Sequence, residues 1–264
     1  MSEAPLVLTE DIGGVRKITL NRPDRLNALN EPIMAALADA VLDASAANSI
    51  GCVVLTGAGR GFCAGGDVNR KRSDLIVNRE LGGRVEQSHA RLRGEFESAR
   101  LLHEMPKPTI AMINGPVAGA GIGLAGACDL RFASRSATFL SAFDRIGASG
   151  DFGATWFWTK ILGTAKAREL FFLGEKFDAE RALEFGLYTK IFDDEVLETE
   201  SLKIAERLTN GPRIGWRYMK RNLNFAEDGQ FEAHLDQESL FMSLSVQASA
   251  SMNKAEKKAA EDEE

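Results

Sequence analysis

Two glycine-rich loops carry the first chemical signal in this chain. Gly119-Ala120-Gly121-Ile122-Gly123 follows an apolar run, Thr109 to Ile113, flanked by Pro106 and Pro108, and leads into small residues and good helix formers. The pattern predicts a buried strand, a tight bend and a helix start. Upstream, Gly57-Ala58-Gly59-Arg60-Gly61-Phe62-Cys63-Ala64-Gly65-Gly66-Asp67 follows the strand-like run Cys52-Val53-Val54-Leu55. Glycine at alternate positions removes the Cβ atoms that would hold a ligand away, so backbone N–H groups at a helix N-terminus can point at an oxygen carrying negative charge. Taken singly, either loop also fits close helix packing. Two such transitions in one domain can each supply one N–H donor to the same oxygen, the arrangement that stabilises an enolate or thioester oxyanion. A dinucleotide fingerprint does not fit, because Phe62 and Leu124 stand where the third glycine of each loop should be.

The candidate proton carrier is Asp151, in Phe143-Asp144-Arg145-Ile146-Gly147-Ala148-Ser149-Gly150-Asp151-Phe152-Gly153, just before a helical pattern over Ala154 to Leu162. An aspartate there can cap the helix by accepting backbone N–H bonds. The same carboxylate can serve as a general acid/base. The residues alone leave both roles open. Asp144 is a second carboxylate in the stretch, beside Arg145 and equally suited to a surface ion pair. Gly147-Ala148-Ser149-Gly150 falls short of a nucleophile elbow, since Asp151 occupies the place of its last glycine, which argues against a serine hydrolase. His89, His103 and His234 lie far apart, none at metal-ligand spacing to a second His or Cys, so no metal is expected.

The elements that must position these groups follow from the pattern. Leu6 to Thr9 and Val15 to Leu20, separated by Asp11-Ile12-Gly13-Gly14, predict a hairpin. Asn30 as N-cap, Pro32 in the first turn, and Ile33, Met34, Leu37, Val41 and Leu42 at helical spacing predict an amphipathic helix over 31–46. A strand over 50–56 leads into the first loop, and a layered α/β fold follows. Strand-like Leu130 to Ala133 and Thr138 to Ser141 come next. From 164 onward the pattern is helical, with helices ending at Gly174, at Gly186 and before Asn210-Gly211-Pro212, then Ile214 to Phe225 and Phe231 to about Ser249. Asn253 to Glu264 reads as a solvated, frayed tail.

Composition sets the outer limits. The 264 residues, 44% hydrophobic and 27% charged, suffice for one large domain or a domain with a helical appendage. No apolar stretch approaches the roughly 20 residues of a membrane span, so no membrane partner is expected. Met1 to Pro5 has neither a basic nor an apolar leader region, and Cys52, Cys63 and Cys128 read as reduced buried thiols, so a cytoplasmic protein is expected. The net charge of −6, with basic residues scattered, argues against nucleic acid.

Three blocks carry a family resemblance: Asn21-Arg22-Pro23-Asp24-Arg25-Leu26-Asn27-Ala28-Leu29-Asn30; Phe62-Cys63-Ala64-Gly65-Gly66-Asp67; and Asn114-Gly115-Pro116 through Gly119-Ala120-Gly121 to Cys128-Asp129-Leu130. In order and spacing they resemble the crotonase, or enoyl-CoA hydratase/isomerase, superfamily, from about Pro5 to about Ala250. The resemblance implies an α/β spiral of ββα units over 1–195, a C-terminal helical trimerisation region over 196–252, and a disordered tail over 253–264. It also implies a homotrimer or dimer of trimers, an acyl-CoA substrate and no permanently bound cofactor. The oxyanion-hole donors it implies are the N–H groups of Ala64 and Ala120. Substrate and coenzyme A contacts would come from Arg25, Asn27, Ala28, Ala64, Gly65, Gly66, Asp67, Val68, Gly119, Ala120 and Gly121. Arg70, Lys71 and Arg72 would either meet coenzyme A phosphates or form a solvated face. One of Trp156, Phe157 and Trp158 should face the core while another lines an acyl pocket.

The resemblance also implies a choice of chemistry. Typical hydratases of the family use two glutamates, and their places are held here by Gly123 and Phe143. Dienoyl-CoA and ring-opening acyl-CoA isomerases of the family carry a catalytic aspartate in an Asp-x-Gly that Asp151-Phe152-Gly153 matches. Adding water asks for both an acid and a base, whereas one carboxylate can take and return the proton of a double-bond shift. The expectation is an enoyl-CoA isomerase with Asp151 as acid/base and Asp144 as a secondary candidate. The alternatives are an enoyl-CoA hydratase of fatty-acid or aromatic degradation, with Asp151 or Asp144 replacing a glutamate, and a non-catalytic acyl-CoA-binding subunit.

Overall fold

The computed structural model of the chain describes residues 4–67 and 83–262. β1 (Val7–Ile12) and β2 (Val15–Leu20) pair as an antiparallel hairpin from Val7↔Leu20 to Ile12↔Val15. Gly13 and Gly14 close it with φ of 54° and 83°, the left-handed values that a two-residue turn matching the strand twist requires. α1 (Glu31–Ala46) starts at Asn30, whose side chain accepts the Ile33 N–H at 3.2 Å. It buries Ile33, Met34, Leu37, Val41 and Ala44, while Leu42 faces solvent. β3 (Cys52–Gly57) is buried along its whole length, as a central parallel strand must be.

After α2 (Gly83–Glu95) and α3 (Glu97–Glu104) the chain winds as a spiral. β4 (Thr109–Ile113) joins the large sheet, β5 (Val117–Ala118) turns off into a second sheet, and α4 (Ala120–Ala127) returns the chain to β6 (Leu130–Ser134). β7 (Phe139–Leu140) repeats the turn into the second sheet. It is followed by α5 (Phe143–Ile146), α6 (Ala154–Leu162), α7 (Thr164–Leu173), β8 (Lys176–Phe177), α8 (Ala179–Phe185) and β9 (Lys190–Phe192). The large sheet runs β1-β2-β3-β4-β6-β9, parallel from β2 onward, and the small one β5-β7-β8. Because β3 and β4 are parallel neighbours, the two glycine-rich segments that follow them leave the large sheet from the same edge.

The main core fills the space between the large sheet and α1, α4 and α6, with Ile33, Leu37, Leu55, Leu102, Ile122 and Trp158 among its members. The other face of the sheet is covered by α9 (Leu197–Thr209), whose Leu197 and Ala205 pack on Val54, Ile110 and Phe132. α10 (Arg213–Ala226) is anchored by the buried Lys220, whose Nζ donates to Leu102 O at 3.0 Å, Lys107 O at 3.2 Å and Asp129 Oδ2 at 2.8 Å. A buried ammonium requires this number of acceptors. α11 (Phe231–Asp262) continues past Ser249, where the sequence pattern ends the helix, and through residues 253–262, which the pattern reads as a frayed tail. Lys254 to Asp262 is made of Lys, Ala, Glu and a final Asp with no Gly or Pro, so nothing local stops the helical backbone.

Candidate active site

The first glycine loop is clamped by two asparagines. Asn27 is fully buried, with Nδ2 donating to Ala58 O at 3.0 Å and Gly61 O at 2.8 Å, and Oδ1 accepting the Arg22 N–H at 2.9 Å. Asn114, just after β4, donates from Nδ2 to Gly57 O at 2.8 Å and Gly59 O at 2.9 Å. Both side chains replace main-chain partners that a glycine-rich loop cannot supply for itself. Asn27, expected as a ligand contact, has its amide committed to the loop and acts as a positioning residue instead. Arg25 is exposed. Ala28 is buried, and its carbonyl accepts from Arg22 Nη1 at 2.7 Å. Arg22 Nη2 in turn reaches Asp67 Oδ2 at 3.0 Å, tying the first sequence block to the end of the loop.

The second loop lies directly on the first. Ala118 N–H donates to Cys63 O at 2.9 Å, and Cys63 bridges Val117 in parallel fashion, so the first loop continues the small sheet. Gly65 has φ of 93°, and a Cβ on it would come 3.0 Å from Ala118 O and 3.3 Å from Ala120 N. A Cβ on Gly121 would come 2.5 Å from Cys63 O, which no real Cβ tolerates. Glycine is needed at both places so that the two backbones can touch.

This contact decides which N–H groups are free. Ala64 N–H donates to Leu26 O at 2.9 Å and is not available to a ligand, contrary to the expectation for Ala64. The Gly66 N–H, one step from the junction with α4, has no acceptor among the described residues, and space beside Gly66 is open. Ala120 N–H opens α4 and is among the helix N-terminal donors that have no intrahelical partner. Among the described residues, Gly66 and Ala120 therefore each leave an N–H unpaired near the loop junction. Sequence reasoning placed Gly66 among ligand contacts but not among the donors. Its position between two paired residues, with Gly65 O and Asp67 N–H both bonded to Leu29, is the signal that only tertiary pairing reveals. Val68, Arg70, Lys71 and Arg72 lie outside the described residues.

Asp151 approaches from the side of α4. It sits in a turn in which Gly150, Phe152 and Gly153 have φ of 115°, 47° and 72°. Left-handed backbone at a non-glycine such as Phe152 is strained and persists only when packing enforces it. Gly123 of α4 provides the packing: a Cβ there would come 2.7 Å from Phe152 Cβ and 3.1 Å from Asp151 O. Asp151 is not a cap, because the N-cap of α6 is Gly153, no side chain caps the helix, and the Ala154 N–H goes to the Asp151 carbonyl. Its Oδ1 is buried with no hydrogen-bond partner among the described residues, and burial pushes the carboxyl pKa up to about 6. The Cys63 thiol is raised to about 12, by burial first, against a hydrogen bond from the Gly65 backbone, and further by the charge of Asp151.

The remaining candidates divide. Phe143 is buried with its ring 6.0 Å from that of Phe171 and offers no acid/base group. Asp144 is exposed, set against Gly174, and lines a separate cleft of about 540 Å3 with Ser149 and Arg168. The structure does not bring it to Asp151. Of the aromatic triplet, Trp158 is fully buried with Nε1 donating to Ile122 O at 3.0 Å, whereas Trp156 and Phe157 line a cleft of about 780 Å3 that Phe152 and Gly153 also border. Among the described residues no cluster of three or more His, Cys, Asp or Glu could hold a metal ion, and no helix is long and apolar enough to cross a membrane.

The sequence profile described as enoyl-CoA hydratase/isomerase matches residues 10–262. The 1,2-epoxyphenylacetyl-CoA isomerase of Escherichia coli K12 is 39% identical over 226 residues, 85% of this chain and 84% of its own. A probable enoyl-CoA hydratase of Mycobacterium bovis is 34% identical over 228 residues, 86% of this chain and 79% of its own. The crystal structure of an enoyl-CoA hydratase from a Polaromonas species superposes with a TM-score of 0.84 at 30% identity, covering 96% of this chain and 95% of that one. The spiral of ββα turns is thus the crotonase fold, and the chain belongs to the enoyl-CoA hydratase/isomerase family of enzymes.

Proposed function

We propose that this enzyme is an acyl-CoA isomerase that moves a double bond through a thioester enolate, with Asp151 as its single acid/base. The observation that carries this reading is the state of Asp151: a carboxyl with a buried, unpartnered Oδ1, raised to about 6, on a turn packed against the helix that Ala120 opens. A general base works best when its pKa lies near the working pH, and an ordinary aspartate is too acidic. The thioester carbonyl oxygen would accept from Gly66 N–H and Ala120 N–H. Asp151 would take the acidified proton, and the electron pair would move onto the oxygen between the two donors. Return of a proton from the Asp151 carboxyl, which exchanges with water, to the other end of the conjugated system re-forms the thioester carbonyl and completes the shift, with no other reactant consumed. Gly123 and Phe143 occupy the two positions where the resemblance puts the hydratase glutamates, and Asp144 faces another cleft. The similarity to a 1,2-epoxyphenylacetyl-CoA isomerase supports isomerase chemistry on a bulky acyl group.

The direct test is product analysis by mass spectrometry with β,γ- and α,β-enoyl-CoA thioesters in deuterated water. Interconversion with deuterium uptake at carbon supports the proposal. A hydroxyacyl-CoA product would assign hydration instead, and tight thioester binding without turnover would assign a binding subunit. The assembly we propose is a homotrimer or a dimer of trimers, supported by the family resemblance and by exposed apolar side chains such as Phe172, Leu223 and Phe231.

A further inference from the structure

Phe152 and Gly153, next to Asp151, help to line the larger cleft, and its lining is not all apolar. Phe96, Phe152, Trp156 and Phe157 form aromatic walls, with the Phe96 and Phe152 rings 5.0 Å apart. His103 and Glu227 line the same cleft. The His103 ring packs edge-on to Trp156 at 5.3 Å and tilted against Phe157 at 5.2 Å, which fixes where its Nε2 points. Nε2 lies 3.4 Å from Glu227 Oε2, and that oxygen is buried with no hydrogen-bond partner among the described residues. Burial raises the Glu227 pKa against the opposing charge of Lys160, and burial lowers that of His103, so the imidazole is uncharged at neutral pH. A buried carboxylate oxygen left without a donor is unfavourable, and its neighbour can supply at most one N–H.

We infer that this cleft receives the far end of the acyl group handled at Asp151, and that Glu227 with His103 selects a flat, aromatic end bearing a hydroxyl. The inference rests on the acyl-CoA reading of the site. The aromatic walls suit a ring by offset and edge-to-face contact. The hydroxyl would donate its proton to Glu227 Oε2 and accept from His103 Nε2–H, using both groups at once. A ring without a hydroxyl leaves Oε2 as it stands. A site whose buried polar atoms match a substrate hydroxyl discriminates strongly against the analogue that lacks it.

The test uses two saturated thioesters, phenylpropanoyl-CoA and its para-hydroxy derivative, which have no double bond to shift and report binding alone by titration calorimetry. The full-length enzyme should bind the hydroxylated compound about tenfold more tightly, as expected for a hydrogen bond to a charged group. Glu227→Leu and His103→Phe, the latter keeping the ring that packs on Trp156, should each bring the preference close to unity. Glu227→Gln, which still accepts, should keep part of it. Binding of the plain thioester shows that each variant is folded. Equal binding of the two compounds by the native enzyme, or a preference unchanged in all three variants, overturns the inference while leaving the acyl-CoA reading intact. Failure of both compounds to bind the native enzyme removes that reading and the inference with it.

Discussion

Gly123 and Phe152 are in backbone-close contact: a Cβ at position 123 would lie 2.7 Å from Phe152 Cβ and 2.9 Å from its carbonyl oxygen. The position that the family resemblance assigns to a hydratase glutamate is therefore filled by the segment that carries Asp151. A carboxylate at 123 and the present placement of Asp151 exclude each other on space alone. Gly123→Ala should destabilise the protein by about 1–3 kcal/mol through overpacking. It should also reduce turnover, because relief of the clash displaces Asp151. Native turnover in a folded Gly123→Ala protein would show that the contact does not position the carboxylate.

Asp151→Asn keeps the size of the side chain and abolishes proton transfer. Isomerisation should fall at least about a hundredfold while thioester binding, followed by calorimetry, persists. In the native enzyme kcat/KM should rise with pH through an apparent pKa near 6, where burial has placed this carboxyl. A flat profile from pH 5 to 8 would remove Asp151 from the role of base.

The same carboxyl makes stability depend on pH. Its folded pKa of about 6 lies above the usual 3.8, so the unfolded chain releases the proton first. Native stability should therefore fall as pH rises from about 4 to about 6, by up to roughly 3 kcal/mol, and the deficit should persist above that window. Asp151→Asn should be relatively more stable at pH 7 than at pH 4, as read by chemical denaturation. A difference independent of pH would mean that the carboxylate is solvated or paired.

Ala120→Pro deletes one unpaired donor at a helix position that proline tolerates. Loss of such a donor costs about 2.7–4 kcal/mol of transition-state stabilisation, so turnover should drop by about two to three orders of magnitude. Unchanged kinetics in a folded variant would take Ala120 out of the oxyanion hole.

The exposed side chains of α10 and α11 should be covered in solution by further copies of the chain. Leu223 is 65% exposed and Phe231 75%. Light scattering at micromolar concentration should give a mass three or six times that of one chain, and Leu223→Asp with Phe231→Asp should lower it. A monomeric native protein would refute the assembly.

By itself the sequence determined what short-range physics controls. The all-buried run of β3, the Gly13-Gly14 turn, the Asn30 cap of α1 and the two strand-to-glycine transitions depend on neighbours within a few residues, and they stand where the pattern put them. That Asp151 sits in a glycine-rich turn before a helix was also readable from Gly150-Asp151-Phe152-Gly153. Tertiary structure alone decided what each group faces. Whether Ala64 or Gly66 keeps a free N–H depends on Leu26 and Leu29, residues brought alongside from the first block. Asn27 reads as a contact residue by its motif, yet its amide is used entirely on distant loop carbonyls and the Arg22 N–H. Asp151 reads equally as cap or base until packing of α4 against the 150–153 turn leaves its Oδ1 buried and unpaired. Hydrogen-bond satisfaction and desolvation are properties of where the whole chain puts its atoms, and no local pattern encodes them.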